Sequence, residues 1–576
     1  MTAPRLESTP AGARAPARET AARVLCRALR SLGVEVAFGL TGGAVAPLMD
    51  ALAASGMKVV HCRHEGGAGF AAVEASIASG APVAVFVTTG PGLTNVLSGI
   101  SAARWEGAKI VLLSGATSPA LRGRWACQET SGLTLPLSGL YDQGAFFHQA
   151  TLVERASQLP QVLARLAAGI RRRQGFVAHL GLTLDLQTEE VRQMPEVDLD
   201  ARGEVLDVAR ARETAQRLAK RPSVIWAGFG ARHAADDLRA LAERLGAPVM
   251  CTPRAKGLFP ESHPLYLGTT GLAGQEQVER FLRAHRPDYT LVLGTRLSEP
   301  SCFWSDALIP AEAFIHVDLD PDVPGNAFPS APTVAVQSDT GAFIRAVLAQ
   351  LPPLVSPNPP TPGPTFPPHV TPEPGRRVRP QAVMAAIQRV VVEGSDATVM
   401  TESGNAFAWG NSCLRFDQPG RYRVSTGYGA MGHMAAGVVG TALVTRRKAV
   451  AVVGDGAMLM FGELSTAVQY RAPAVWVVLN DARYNMVDQG MRALGLRPVE
   501  TQIPATDFVA YARALGGDGL RVTDEPSLDA ALQAAMAATQ PFVVDVVIDP
   551  DVPAPWMKRI ENLILQGAGA KKGAAE

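Results

Sequence analysis

Apolar residues in this chain fall into short unbroken runs, separated by stretches in which they recur every three or four positions. In the first third the runs are 34–38, 58–62, 83–88 and 109–113, with helical periodicity at 45–54 and 94–106. The middle third repeats the style, with runs at 223–226, 289–293 and 313–317. The last third does so again, with runs at 449–453 and 474–479 bridged by a helical 463–470. Unbroken apolar runs suit strands covered on both faces, and strands alternating with helices form parallel sheets. The predicted fold is therefore α/β, with three doubly wound parallel-sheet domains in series. The likeness between the three parts is one of pattern, with no strict repeat.

Two breaks divide the pattern. Residues 351–380 are crowded with prolines, which fix φ and remove a donor, so an extended linker is expected there. A softer break lies at 189–204, where apolar residues give way to charged ones. The expected division is a disordered lead-in at 1–19, domains at 20–188, 189–351 and 381–555, a proline-rich linker at 352–380 and a tail at 556–576.

Composition narrows the function. A formal net charge of +1 with 19% charged residues gives no polyanion-binding surface, which argues against a nucleic-acid partner. The first twenty residues are rich in Ala, Pro and Arg without an apolar centre, so they do not read as a secretory signal. No apolar run reaches the ~20 residues that span a bilayer. Six cysteines are scattered without a CxxC pair, as suits reduced thiols. A cytoplasmic protein that stays off the membrane is expected.

The chemistry is concentrated near the end. Gly454-Asp455-Gly456 closes one strand, and Asn480-Asp481-Ala482-Arg483 closes the next about two dozen residues later. Ligands of such sheets bind outside the carboxyl ends of the strands. Neighbouring parallel strands would bring Asp455 and Asp481 together, where two carboxylates repel. A hard divalent cation such as Mg²⁺ relieves that repulsion, and the glycines let backbone N–H groups approach phosphate oxygens. The expectation is a metal-bridged diphosphate site.

These residues resemble the signature of the thiamine-diphosphate enzyme family, which includes acetohydroxyacid (acetolactate) synthases, pyruvate oxidases and 2-oxo acid decarboxylases. The family pattern is GDG followed by NN, and Asp481 stands where most members have the second Asn. The resemblance implies thiamine diphosphate and Mg²⁺, with Asp455, Asp481 and the carbonyl of Arg483 as metal ligands. It places Gly456, Ala457, Tyr484, Asn485 and Met486 at the cofactor, with Gln489 beyond them on the acceptor side. Gly404-Asn405-Ala406 resembles a further diphosphate-contacting turn. In Gly427-Tyr428-Gly429-Ala430-Met431-Gly432, Met431 resembles the apolar wedge that bends the cofactor. The carbonyl of Gly429 resembles the acceptor for its amino group.

The other half resembles the family's N-terminal, pyrimidine-binding domain. His64-Glu65-Gly66-Gly67 follows a strand, and Glu65 matches the acid that exchanges a proton with the aminopyrimidine ring. Glu65 and the metal motif lie in different domains. The family builds each site from two subunits, so a homodimer or homotetramer is implied.

Substrate residues depart from the pattern. Acetohydroxyacid synthases carry Thr-Gly-Gln where this chain has Ser114-Gly115-Ala116, and a Lys where His148 stands. Their acceptor-side Trp has no counterpart near Gln489-Gly490-Met491, and the adjacent His-His pair of simple decarboxylases is missing. His148 is kept as a catalytic candidate beside Glu65 and Gly429. The expectation is an acetolactate synthase-like carboligase (a transferase or lyase) acting on a 2-oxo acid donor and a carbonyl acceptor, outside housekeeping amino-acid synthesis. The alternatives are a decarboxylase or C–C hydrolase, or, in a different class, a non-catalytic assembly subunit. FAD is allowed by Gly228-Phe229-Gly230, Gly268, Gly271, Arg296, Asp318 and Asp320. It is the less favoured expectation, because such turns occur in every α/β domain.

Overall fold

The structure, a computed structural model, describes residues 19–191, 205–353, 358–365 and 370–568. The expected lead-in lies outside these residues apart from Glu19, as does most of the softer break. Three six-stranded parallel sheets follow one another, as the sequence pattern predicts. The first has strands β1 (Val36–Gly39), β2 (Lys58–His61), β3 (Val83–Val87), β4 (Lys109–Ala116), β5 (Gln149–Val153) and β6 (Phe176–Thr183). Helices α1 (Glu65–Ser79) and α2 (Leu97–Glu106) lie on it. The periodicity read at 94–106 is broken, because Pro91–Asn95 forms a separate short helix.

The central domain has β7 (Ser223–Ala227), β8 (Val249–Cys251), β9 (Tyr266–Thr269), β10 (Tyr289–Leu293), β11 (Ala313–Asp318) and β12 (Thr333–Gln337). The third has β13 (Thr398–Thr401), β14 (Tyr422–Val424), β15 (Ala449–Gly454), β16 (Ala474–Asn480), β17 (Asp518–Val522) and β18 (Phe542–Val547). Its helices include α3 (Asn405–Cys413), α4 (His433–Thr445), α5 (Glu463–Tyr470), α6 (Asn485–Ala493) and α7 (Met557–Leu565). Residues 556–568, read from the sequence as a tail, carry α7. Lys558 pairs with Glu279 at 2.6 Å, and Asn562 donates to Glu299 at 2.5 Å, so this helix is fastened to the central domain.

Strand order shows what sequence pattern could not. The first sheet runs β2-β1-β3-β4-β6-β5 and the third runs β14-β13-β15-β16-β18-β17, which is the same topology. The central sheet differs, running β9-β8-β7-β10-β11-β12. In the first and third domains the order reverses between the first and third strands. That places a crevice at the carboxyl ends of β1 and β3, and of β13 and β15.

Helices α1 and α4 pack the first domain against the third, and glycines let their backbones approach. A β-carbon at Gly440 would fall 1.9 Å from the Ala71 carbonyl oxygen, and one at Gly437 would fall 2.6 Å from the Glu74 side chain on α1. Arg423 fastens this interface. Its Nε and an Nη donate to Glu74 on α1, each at 2.8 Å, and an Nη donates to Glu106 on α2, also at 2.8 Å. Arg254 of the central domain reaches the same Glu106 at 3.0 Å, and His433 of α4 meets Glu74 at 2.9 Å. All three domains therefore share one buried ion cluster. The proline-rich linker ends in a second clamp, where Arg379 binds both carboxylate oxygens of Glu525 at 2.7 Å.

Burial alone would raise the Glu106 carboxyl, but Arg254, Arg423 and His433 outweigh it and hold it at about 2, against an ordinary 4.5. A depressed carboxyl stabilises the fold above its unfolded value and loses that contribution as pH falls through the folded one. Urea unfolding between pH 4.5 and 2 is expected to show this loss. Arg423→Met should destabilise the protein at neutral pH by about 3–5 kcal/mol, since it strips two buried carboxylates of the guanidinium they share, and should flatten the acid dependence.

Candidate active site

The metal turn is built at the switch point of the third sheet. Strands β15 and β16 pair in register from Ala449–Ala474 to Gly454–Leu479, so Asp455 and Asp481 leave adjacent strand ends. Asp455 Oδ1 accepts from Gly456 N at 2.7 Å. Its Oδ2 accepts from the backbone N of Asp481 and Ala482, at 3.2 and 2.6 Å. Asn485 Nδ2 donates to Asp481 Oδ2 at 2.6 Å. Burial, and then the neighbouring Asp455, push the Asp481 carboxyl up to about 7. Burial also raises Asp455.

Such a pair is unfavourable unless a cation neutralises it. Among the described residues no group of three or more His, Cys, Asp and Glu could hold a metal. A cation here would therefore rely on the two carboxylates and a backbone oxygen. The Arg483 carbonyl is available in a segment held by Tyr484 N to Thr501 O at 2.8 Å and Ile503 N to Ala482 O at 2.9 Å. Ala482 takes φ +55°, the left-handed bend that turns the chain there. Hard oxygen donors of this kind fit Mg²⁺.

The surrounding residues fit an anion and an aromatic ring. Gly404 opens α3 at φ +108°, a conformation that favours glycine. Buried Ser403 Oγ and Asn485 Oδ1 have no protein partner, which leaves two polar atoms beside the metal turn for a ligand to satisfy. The Asn405 side chain is taken, because its Oδ1 accepts from Trp556 Nε1 at 2.8 Å. The Nδ2 group and the backbone of Asn405 are what it can offer an anion. A β-carbon at Gly456 would fall 2.5 Å from the Tyr484 ring, so the turn and that ring are in direct contact. Gly429 takes φ +64°, and a β-carbon there would lie 3.9 Å from Ser403 Oγ. The diphosphate turn and the wedge loop thus face one another, with Met486 Sδ 4.0 Å from where a β-carbon of Gly404 would sit.

Glu65 is the first residue of α1 and is only 6% exposed. His64 caps the helix, its Nδ1 accepting from Gly66 N at 3.0 Å. Among the described residues the Glu65 carboxylate has one hydrogen-bond partner, Asn95 Nδ2 at 3.1 Å. Its helix start meets the third domain elsewhere. The backbone N–H groups of Arg63 and His64 both donate to Glu463 Oε1 at 3.1 Å. Glu463 is buried, and nothing in the GDG pattern singled it out.

His148 is not brought to this site. It precedes β5 at the amino edge of the first sheet, with Nδ1 accepting from Val177 N at 2.9 Å, whereas Glu65 follows the carboxyl end of β2. Its Nε2 lies against Arg104. Burial, and then Arg104 and Arg172, lower its pKa to about 4, so the ring is neutral at physiological pH. Within the first domain His148 and Glu65 therefore lie at different edges of the sheet. His148 lines a cleft of about 640 Å³ between the first and central domains, which Thr426 and Gly427 of the third domain also border. Gly230, Arg296, Asp318 and Asp320 converge on the same cleft, with Arg104, Arg173, Arg232 and Arg254.

Comparison with known proteins agrees with the geometry of the strand ends. The N-terminal thiamine pyrophosphate-binding domain of the thiamine pyrophosphate enzymes matches residues 19–135, their central domain 212–347, and their C-terminal thiamine pyrophosphate-binding domain 402–546. The chain belongs to the thiamine pyrophosphate enzyme family. It is 29% identical over 554 residues to a putative acetolactate synthase large subunit of Mycobacterium tuberculosis, covering 92% of this chain and 97% of that one. It is 30% identical over 577 residues to the acetolactate synthase large subunit of Corynebacterium glutamicum, covering 93% and 88%. It is 29% identical over 550 residues to a probable 2-ketoarginine decarboxylase of Pseudomonas aeruginosa, covering 92% and 94%. In fold it is similar to benzoylformate decarboxylase from Polynucleobacter necessarius, with a TM-score of 0.80, 22% identity, and 93% and 99% of the two chains covered.

The protein is thus a thiamine pyrophosphate enzyme of the acetolactate synthase and decarboxylase kind, with lyase or transferase chemistry. Its cofactor is thiamine diphosphate, and Mg²⁺ is the usual metal of the family. Asp455→Ala is expected to abolish Mg²⁺-dependent thiamine diphosphate binding in isothermal titration calorimetry. Unchanged affinity would remove Asp455 from the metal site.

Proposed function

We propose that this thiamine pyrophosphate enzyme is a carboligase, cleaving the bond beside the carbonyl of a 2-oxo acid donor and joining the retained fragment to a carbonyl acceptor. The donor's carboxyl would leave as CO₂, and the product would be an acyloin, with the new hydroxyl on the carbon next to the ketone. Thiamine diphosphate, when bound, supplies the carbon nucleophile and the electron sink for that cleavage. Asp455, Asp481 and the Arg483 carbonyl would hold Mg²⁺ against the diphosphate. Ser403, Asn485 and the backbone of Gly404, Asn405, Ala406, Gly456 and Ala457 would bind its oxygens. Glu65 would hold a proton at the aminopyrimidine ring, the Gly429 carbonyl would accept from its amino group, and Met431 would wedge between the rings. Tyr484, Met486 and Gln489 would border the acceptor.

One observation favours transfer over simple protonation to an aldehyde. One ring nitrogen of each histidine beside Glu65 is taken by backbone, His61 Nε2 accepting from Thr41 N at 3.1 Å and His64 Nδ1 from Gly66 N. The sequence has no adjacent His-His pair to act as a proton donor. Relatives named as acetolactate synthases along their whole length support the same reading. The absence of their Gln, Lys and Trp contacts favours a role outside housekeeping amino-acid synthesis. Incubation with pyruvate and an added aldehyde is expected to give an acyloin by mass spectrometry. Aldehyde or acid as the sole product would instead establish the decarboxylase or hydrolase alternative.

The active form on this reading is a homodimer or homotetramer. Met431 and Tyr484 are 38% and 39% exposed although they flank the cofactor site, and Val487 and Leu459 beside them are also exposed. The first domain of a partner copy would cover them and bring its own Glu65. Glu65→Gln and Asp455→Ala subunits, each inactive alone, should then regain roughly one quarter of wild-type activity when co-assembled, because half the dimers are mixed and each has one intact site. No recovery would place both residues in one chain's site.

The arginine-lined cleft bears on FAD. It lies where the central strand order reverses between β7 and β10, a position suited to a dinucleotide. Purified protein that is yellow and releases flavin on denaturation would show the cleft filled by FAD. No helix among the described residues is long and apolar enough to cross a membrane.

A further inference from the structure

Two backbone segments that border the proposed cofactor site meet at one buried carboxylate, and a third is bonded to the backbone of the same residue. Glu402 follows β13 and has no exposed surface. Its Oε1 accepts from Ser403 N at 2.9 Å, at the root of the diphosphate turn. Its Oε2 accepts from Met434 N at 2.9 Å and Ala435 N at 3.1 Å, in the first turn of α4. Helix α4 is entered directly from the loop that carries Gly429 and Met431. The Glu402 backbone N donates to Val452 O at 2.9 Å, on the strand that leads to Asp455.

A simple helix cap does not require this arrangement. Capping groups normally come from the residue just before the helix. Here that residue is Gly432, at φ +82° and with no side chain. The capping carboxylate comes instead from 32 residues away in sequence. Burying a carboxylate is costly unless its oxygens are bonded, and three N–H donors and the positive end of α4 supply that compensation. The same three bonds fix the diphosphate turn relative to the wedge loop. Burial raises the Glu402 carboxyl, while His433 and these N–H groups oppose the rise.

We propose that Glu402 is a positioning residue that sets the distance between the diphosphate turn at 403–406 and the wedge loop at 429–431, and thereby the affinity of the site for thiamine diphosphate. Glu402 touches neither cofactor nor substrate and acts through the backbone it grips. The proposal rests on the cofactor assignment and not on the carboligase reading.

Glu402→Gln tests it, because the amide keeps the size but turns an NH₂ group against N–H donors. Binding of thiamine diphosphate with Mg²⁺ is followed by calorimetry, and folding by circular dichroism. The Glu402→Gln protein is expected to fold and to bind the cofactor about tenfold or more weakly, as loss of a hydrogen bond to a charged group implies. Glu402→Asp, which keeps the charge, should recover most of that loss. Wild-type affinity in a folded Glu402→Gln protein would overturn the proposal. So would a loss in Glu402→Asp as large as in Glu402→Gln. If Glu402→Gln does not fold, hydrogen exchange of the wild type decides: the amides of Ser403, Met434 and Ala435 should slow together on adding cofactor and Mg²⁺, and unchanged exchange would overturn the role. If the wild type itself fails to bind thiamine diphosphate, the site assignment fails, and not the role of Glu402 within it.

Discussion

The buried contact of Arg423 with Glu74 and Glu106 fixes how the two cofactor-binding domains of one chain face each other. Glu74 lies on the helix that begins at Glu65, and His433, which also meets Glu74, begins the helix that follows Met431. Neither helix can shift without breaking charge-assisted bonds in a site closed to water, where a lone charge is costly. The central domain is drawn into the same cluster through Arg254. Both strand-end crevices of the chain are therefore presented in a fixed geometry, as the proposed assembly from two copies requires.

The chemistry of each half follows from its place at the strand ends. The first and third sheets share a strand order, and each opens a crevice at its carboxyl edge. In the third domain that edge gathers two carboxylates whose mutual repulsion a cation would relieve, together with unpartnered polar atoms. In the first domain it holds a lone carboxylate on a helix start, suited to keeping or passing a proton. One topology used twice supplies an anchor and an acid.

How much of this was legible in the sequence depended on how local each feature is. Asp455 and Asp481 lie on consecutive strands, so strand, loop and spacing predicted their meeting. Glu65 follows one strand directly and was placed correctly at its end. Three α/β domains followed from apolar runs, although the shared strand order of the first and third did not, since order depends on long-range pairing. The edge of the sheet that His148 occupies was not legible, because its position in the chain does not reveal it. Arg423, Glu402 and Glu463 carried no signal, because their partners are tens to hundreds of residues away in sequence and burial alone gives them meaning. The helix after Trp556 was hidden for the same reason: its ion partners, Glu279 and Glu299, belong to the central domain.

The central claim is that two copies of this chain complete each site around thiamine diphosphate. The most direct measurement is an experimental structure determined with thiamine diphosphate and Mg²⁺. The account predicts a metal held by Asp455, Asp481 and the Arg483 carbonyl of one copy, with the aminopyrimidine ring at Glu65 of another. A cofactor spanning Asp455 and Glu65 of the same chain, or a metal held away from the two aspartates, would contradict it.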